Sequence, residues 1–205
     1  MQMQVPQSVS TKISMAAIAA IGWFGIIFQY YIATATPANF FSFFTIESNL
    51  LIAASFTILL IAPHTSAGRF FATATFQSAL ALYIVVVGLV YNTVLRGLSH
   101  LEGMSLLVDT ILHVITPAAY YLYWLVFIPK GSLVWKDAMS WLWFPVAYLV
   151  YSMVRGPIVG WYPYPFLHAE KLGYPTVMVN ILAMILVFFI GSLILIAIKR
   201  KPGIK

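Results

Sequence analysis

The chain has 205 residues, of which 62% are hydrophobic and only 8% are charged, and its mean hydropathy is +0.94. Soluble domains carry about a quarter charged residues, so the composition excludes a soluble globular protein and predicts an integral membrane protein. The net charge of +6 comes from Lys and Arg residues scattered through short connecting segments, which argues against a nucleic-acid-binding face. The absence of cysteine excludes disulfides, thiolate metal sites and a cysteine nucleophile.

Six segments are long and apolar enough to cross a bilayer, because a spanning helix needs about 20 predominantly apolar residues. These segments cover residues 13–34, 39–61, 70–95, 104–128, 138–154 and 174–198. Their hydrophobicity is uninterrupted rather than alternating, which favours helices over a β-barrel. The sequence therefore predicts an all-α, polytopic membrane protein whose six helices form one bundle, a single domain over residues 1–205.

The distribution of Lys and Arg predicts how the bundle is oriented, because cytoplasmic segments are enriched in these residues. With six spans, the N-terminus, the second and fourth loops and the C-terminus share one side. That side holds Lys12, Arg69, Lys130, Lys136, Lys199, Arg200, Lys201 and Lys205. The other side holds only Arg96, Arg155 and Lys171. We therefore expect both termini to be cytoplasmic.

Four polar side chains interrupt the second span, in the stretch FFTIESNLL. Burying an acid such as Glu47 costs roughly 2.5–3.5 kcal/mol on insertion scales, so a carboxylate here needs a partner or a function. Residues three or four apart share one face of a helix, which places Thr45, Ser48 and Asn49 together. Glu47 points about 200° away from Thr45, so the two side chains are expected to contact different neighbours.

Polar side chains of five spans are predicted to lie in one layer, near the ends opposite the termini. At 1.5 Å per residue, Thr45 lies about 9 Å, Asp109 about 8 Å and His113 about 14 Å inside that end of its span. Gln29, Asn92 and Asn180 fall in the same half of their spans. The pattern predicts a polar chamber that opens toward the outer leaflet.

Asp109 and His113 are four residues apart, so on a helix the carboxylate can reach the imidazole, fix its tautomer and stabilise its charged form. His113 is the only histidine within a predicted span. A threonine hydroxyl needs a base to become a nucleophile, which makes Thr45 and His113 a candidate pair. Pro117 cannot donate to the His113 carbonyl four residues earlier, so that carbonyl is free to accept from a water or a substrate hydroxyl.

The other polar residues of this layer have two interpretations each, support of the bundle or action in a site. The candidates to bind substrate or to stabilise an oxyanion are Asn49, Asn92, Asn180, Arg96 and Arg155. Asparagine also joins membrane helices to one another, so both roles stay open. We expect Glu47 to pair with one of the two arginines, and Ser48 to be a supporting or substrate-binding residue. Asp109 is equally suited to support and to catalysis.

Two short motifs resemble a known family. FFT followed by SN in the second span, and LHVITP in the fourth, resemble the six-span androgen-induced protein and androgen-dependent coagulation-regulator family. Its animal members are intramembrane threonine hydrolases that cleave fatty-acid esters of hydroxy fatty acids. The resemblance implies that Thr45 is the nucleophile and His113 the base. YPYPFL, residues 162–167, is similar to the loop motif of the bacterial branch, which implies a bacterial cytoplasmic membrane.

Three functions are compatible with these residues. The leading hypothesis is a hydrolase that acts on a lipid or a long-chain acyl ester, with Thr45 and His113 as its catalytic residues and no nucleic acid as partner. The alternatives are a proton-linked transporter or channel that uses Glu47, Asp109 and His113, and a non-catalytic lipid-binding protein. We predict no cofactor and no metal, because the other three histidines lie in loops and no HxxxH spacing is present.

Overall fold

The six predicted spans are six helices in a computed structural model, which describes residues 8–98 and 100–200. In chain order they are α1 (Val9–Ile32), α2 (Phe44–Ile61), α3 (Ala74–Leu98), α4 (Gly103–Phe127), α5 (Asp137–Val159) and α6 (Tyr174–Lys199). Each is long and apolar enough to cross a membrane, and the described residues contain no strand. The prediction of an all-helical, multi-pass membrane protein is confirmed.

Three helices begin at residues other than those predicted from hydropathy. α1 begins before the predicted residue 13, because the Ser8 hydroxyl accepts a hydrogen bond from the Thr11 N–H at 3.2 Å. α2 begins later than predicted, because Pro37–Phe40 forms a short helix of its own. α3 also begins late, since Ser66–Phe71 is a separate helix and the Thr73 hydroxyl caps the next one.

α3 lies at the centre of the bundle, where it packs against α2, α4 and α6, while α1 packs along α2. The core around it includes the fully buried rings of Phe56, Tyr120 and Trp124. Two polar groups of this core are paired across helices. The Tyr120 hydroxyl donates to Gln77 Oε1 at 2.7 Å, and Trp124 Nε1 donates to Ser78 Oγ at 2.8 Å. These bonds join α3 to α4 and satisfy groups that would be costly to bury alone.

The C-terminal end of α6 is hydrogen-bonded to the C-terminal end of α4. Lys199 Nζ donates to the carbonyl oxygens of Leu125 and Ile128, both at 2.8 Å, and lies 4.8 Å from the centroid of the Trp124 ring. The Gly131 N–H donates to the Lys199 carbonyl. We call this end of the bundle the termini end, because α6 finishes there.

The chain between α5 and α6 folds over the opposite end of the bundle, and we call residues 161–168 the cap. Gly160, in the left-handed region with φ of 62°, ends α5 and turns the chain into the cap. The Tyr162 ring lies directly on Gly156, where a Cβ would overlap the ring. The YPYPFL stretch, residues 162–167, makes up most of this cap.

α3 and α4 approach each other closely next to the cap. A Cβ on Gly88 would lie 3.2 Å from Pro117 Cβ and 3.3 Å from the His113 carbonyl oxygen, so a glycine permits this distance between the helices. Gly25 of α1 is in a similar position, because a Cβ there would lie 2.9 Å from side-chain atoms of α4. The segment of α4 that contains His113 is therefore held between α1 and α3.

Candidate active site

A cavity of about 370 Å³ lies at the cap end, lined by residues of α1, α2, α3, α4 and the cap. Thr45, Asp109 and His113 all line it, so the structure brings together three residues that were predicted to share a layer. Tyr91 and Tyr164 line it too, and sequence reasoning assigned a role to neither. An apolar cavity with a few convergent polar groups is the expected form of a small-molecule site, so we take it as the candidate active site.

His113 is held by Asp109, one turn earlier in α4. Its Nδ1 lies 3.0 Å from Asp109 Oδ1 and 2.9 Å from the Asp109 carbonyl oxygen. Both partners are acceptors, so Nδ1 carries a proton, and in the neutral imidazole Nε2 is the atom that can receive one. The predicted contact between Asp109 and His113 is confirmed, and it is Asp109 rather than Glu47 that supports the imidazole.

Tyr91 of α3 completes this arrangement. Its hydroxyl donates to Asp109 Oδ2 at 2.6 Å, and its ring stacks on the His113 imidazole with 3.7 Å between centroids. Asp109 therefore uses one oxygen for each neighbour, and the imidazole is fixed in position and in tautomer. Sequence reasoning missed Tyr91, because a tyrosine in an apolar span is usually a packing residue. We call Tyr91, Asp109 and His113 the imidazole network.

Two members of the imidazole network lie on π-helical turns, Tyr91 on Tyr91–Leu95 in α3 and His113 on Ile111–Ile115 in α4. Pro117 leaves the His113 carbonyl without its helical donor. Asn92 Nδ2 donates to that carbonyl at 3.1 Å. The freed carbonyl therefore accepts from the neighbouring helix, a donor that the sequence did not predict. Such turns are frequent at functional sites.

Thr45 lies in the first turn of α2 and is buried. Its backbone N–H donates to the Tyr164 hydroxyl oxygen at 3.3 Å, and its Oγ1 lies 3.4 Å from the same oxygen. Thr45 and His113 line one cavity but are not hydrogen-bonded to each other. Catalytic hydrogen bonds are often incomplete before substrate binds, so the shared cavity is the relevant relation between these two residues.

The predicted face of α2 is buried as a unit, since Thr45, Ser48 and Asn49 are all inaccessible. Asn49 Nδ2 donates to the Thr45 carbonyl at 2.9 Å and to the Leu112 carbonyl at 3.4 Å. Asn49 therefore joins α2 to α4, and its donor is directed at backbone rather than at the cavity. Ser48 Oγ has no hydrogen-bond partner among the described residues.

Glu47 does not pair with an arginine, and that prediction is wrong. Arg96 donates to Asn92 Oδ1 at 2.8 Å on its own helix. Arg155 donates to Asn39 Oδ1 at 2.6 Å and lies over the Trp161 ring in the cap. Both guanidinium groups thus have other partners. Glu47 is half-buried, and its carboxylate makes no hydrogen bond or salt bridge within the described part of the chain.

Asn180 also has a structural contact. Its Nδ2 donates to the Phe166 carbonyl at 2.8 Å and ties the cap to α6. The side-chain donors of Asn49, Asn92 and Asn180 are therefore all directed at backbone carbonyls. This geometry matches the supporting role that the sequence left open for each of them.

A second and narrower cavity, of about 40 Å³, lies behind Thr45. Its walls are apolar side chains of α3, α5 and α6, including Val87, Leu149 and Phe188. Thr45 and Tyr164 line both cavities and form part of the wall between them. Burial raises the pKa of the Tyr164 hydroxyl, the nearby Glu47 charge acts in the same direction, and the hydrogen bonds with Thr45 oppose them. The phenol therefore keeps its proton at neutral pH.

The described residues contain no group of three His, Cys, Asp or Glu side chains placed to hold a metal ion. The candidate site is thus a threonine, a tyrosine from the cap, and an imidazole held by a carboxylate. These are the groups used in acyl transfer: a hydroxyl, a base and a hydrogen-bond donor. Comparison with known proteins adds no assignment, since no family model, no curated protein and no solved structure matches this chain.

Proposed function

We propose that this protein is an intramembrane hydrolase that cleaves a lipid ester, with Thr45 as nucleophile and His113 as general base. One observation carries the proposal. α2 and α4 contribute a hydroxyl and an imidazole to the same cavity, and Asp109 occupies Nδ1 so that Nε2 is the atom left to accept a proton. The resemblance of the two motifs to a family of threonine hydrolases supports the same assignment.

The reaction follows from these roles. Thr45 Oγ1 attacks the ester carbonyl carbon while His113 Nε2 takes its proton, and the carbonyl π pair moves onto oxygen. When the pair returns, the bond to the alcohol oxygen breaks and His113 gives its proton to the departing alcohol. Water then adds to the acyl-threonine, again losing a proton to His113. When the intermediate collapses, the bond between the acyl carbon and Thr45 Oγ1 breaks, Oγ1 takes the proton back from His113, and the acid is released.

The substrate class is an ester with a long alkyl part, such as a fatty-acid ester of a hydroxy fatty acid. Both cavities are lined mainly by apolar residues, and Thr45 lies between them. A carbonyl beside Thr45 places one alkyl part in the narrow cavity and the rest of the ester in the larger one.

The orientation and the route of entry are part of the proposal. The excess of Lys and Arg supports cytoplasmic termini, which would place the cap at the outer face of a bacterial cytoplasmic membrane. Substrate would then reach the larger cavity from the outer leaflet.

The test uses Thr45→Ala and His113→Ala in purified protein reconstituted into liposomes. Hydrolysis of p-nitrophenyl octanoate and of an ester-linked hydroxy fatty acid is expected to fall to background in both. Thr57→Ala is the matched control, because it removes a threonine hydroxyl from the same helix at a distance from the cavity. Full hydrolysis by both site variants contradicts the proposal.

A second readout identifies the nucleophile directly. A fluorophosphonate probe reacts with activated hydroxyl nucleophiles and is expected to label the unmodified protein and the Thr57→Ala variant. Labelling is expected to disappear in Thr45→Ala. Mass spectrometry of the labelled peptide identifies the modified residue. A label on any residue other than Thr45 would show that Thr45 is not the nucleophile.

A further inference from the structure

Tyr164 is held rigidly by the cap. Its ring is parallel to that of Phe166, with 5.3 Å between centroids and 2° between planes, and the Phe43 ring meets it edge-on at 5.8 Å. Asn180 anchors this part of the cap by its bond to the Phe166 carbonyl. The Tyr164 hydroxyl is thereby placed at the wall between the two cavities, against Thr45.

The hydrogen bonds of this hydroxyl leave its proton available. The Thr45 N–H donates to the phenol oxygen at 3.3 Å, so the oxygen is the acceptor in that bond. Its own proton has one acceptor within the described part of the chain, Thr45 Oγ1 at 3.4 Å. An O–H to O bond is usually about 2.7–2.8 Å long, so this contact is weak and easily exchanged for a better acceptor.

The other predicted oxyanion donors are occupied. The amide groups of Asn49, Asn92 and Asn180 donate to backbone carbonyls. The two arginines are held by Asn92 and Asn39. The amide of Gln29 also lines the cavity, but the phenol of Tyr164 is the neutral donor that contacts Thr45 directly.

We propose that Tyr164 is a catalytic residue, the donor that stabilises the oxyanion when Thr45 attacks the ester carbonyl; this inference rests on the hydrolase function proposed above. As the carbonyl π pair moves onto oxygen, the Tyr164 O–H turns from Thr45 Oγ1 to that oxygen. No proton is transferred, and the hydrogen bond is released when the pair returns. The Thr45 N–H bond to the phenol oxygen strengthens the phenol as a donor, because successive hydrogen bonds polarise one another.

The test compares Tyr164→Phe with Tyr151→Phe on p-nitrophenyl octanoate in liposomes. Tyr151 is the matched control, because its hydroxyl bonds Ser42 Oγ at 2.8 Å near the start of α2 and does not line the two cavities. Loss of one oxyanion donor is expected to lower kcat of Tyr164→Phe by about 10²–10³-fold. KM is expected to stay within about threefold, since the donor acts on the transition state, and Tyr151→Phe is expected to retain kcat.

A fluorinated tyrosine at position 164 gives a second measurement that does not remove the hydroxyl. Fluorine lowers the pKa of the phenol, and an ionised phenol cannot donate. The fluorinated protein is therefore expected to be active at neutral pH. Its alkaline limit, the pH above which activity is lost, is expected to be lower than that of the unmodified protein. A purely structural role predicts no shift of the alkaline limit.

The outcomes separate the two proposals. If Thr45→Ala is inactive while Tyr164→Phe keeps its kcat and the fluorinated protein keeps its pH profile, the role of Tyr164 is overturned and the hydrolase remains. If Thr45→Ala is fully active, the hydrolase proposal fails and the role of Tyr164 fails with it. If Tyr164→Phe does not fold, the alkaline limit of the fluorinated protein decides alone.

Discussion

Asp109 uses both oxygens of its carboxylate, one for His113 and one for Tyr91. An asparagine has one oxygen and an NH₂ group, so it cannot offer a separate acceptor oxygen to each neighbour. Its NH₂ group would face either the Tyr91 hydroxyl or His113 Nδ1, and the loss of the hydrogen bond now made there costs about 1–3 kcal/mol. The Asp109 carbonyl oxygen, 2.9 Å from Nδ1, also accepts from the imidazole, so the carboxylate and this carbonyl together set the position and the tautomer of the ring.

The variant Asp109→Asn tests this role of the carboxylate. We expect kcat for p-nitrophenyl octanoate to fall by about 10²–10⁴-fold, the range ascribed to general base catalysis, because Nδ1 is no longer held as a donor to a carboxylate. KM is expected to change little. Thr110→Ala, which removes a hydroxyl bonded only to the Leu106 carbonyl, is the control. Equal rates for the two variants would show that Asp109 is structural.

The elements that carry the site are irregular at the positions where its residues lie. Both π turns contain residues of the imidazole network, and the cap supplies Tyr164 from a segment with almost no regular structure. The cap packs closely on α5 at Gly156, since the Tyr162 ring occupies the space where Gly156 lacks a side chain. A change in α5 can therefore move Tyr164 without touching it.

Gly156→Ala tests this dependence. The new Cβ would overlap the Tyr162 ring, so we expect the cap to shift and kcat to fall by roughly 10–100-fold, as for other small misplacements of catalytic groups. Alanine favours helix more than glycine does, so circular dichroism should show no loss of helix. Gly97→Ala is the control, because a Cβ at Gly97 meets nothing within 4 Å. Unchanged kcat in Gly156→Ala would mean that the cap tolerates this shift.

Contacts between residues close together in the sequence could be predicted, whereas contacts between residues far apart in the sequence could not. Asp109 and His113 are four residues apart, so helix geometry alone predicts that they meet. Tyr164 contacts Thr45 across 119 residues of chain, and no spacing rule reaches that far. Glu47 was assigned an arginine by charge alone, whereas the arginines are held by Asn92 and Asn39. Hydropathy predicted the six spans because the bilayer constrains length more strongly than it constrains packing.

The candidate site and the contacts that join α4 to α6 lie at opposite ends of the bundle. The cap end contains the two cavities and the imidazole network. At the termini end, Lys199 is paired with the carbonyls of Leu125 and Ile128. Changes at one end are therefore expected to leave the other end unaffected, because sites without shared partners contribute independently.

Lys199→Met tests this separation. The variant removes two hydrogen bonds from a charged donor, and we expect the free energy of unfolding to fall by about 1–3 kcal/mol, with a lower Tm in detergent. At temperatures below both transitions, kcat should equal that of the unmodified protein. Lys171→Met, at an exposed position, should change neither quantity. A loss of kcat at an unchanged Tm would show that the two ends are coupled.

The π turn of α4 keeps the two halves of this helix in register. A π turn holds one residue more than the α-helical turn it replaces and still completes one turn, so the helix before it and the helix after it keep nearly the same relative orientation. Asp109 lies before this turn and the core residue Trp124 lies after it. If the same residues all adopted regular α-helix, the two halves of α4 would rotate by about 100° relative to each other, and only one of these side chains could keep its direction. The π turn thus accommodates one additional residue without turning the candidate site away from the packed core.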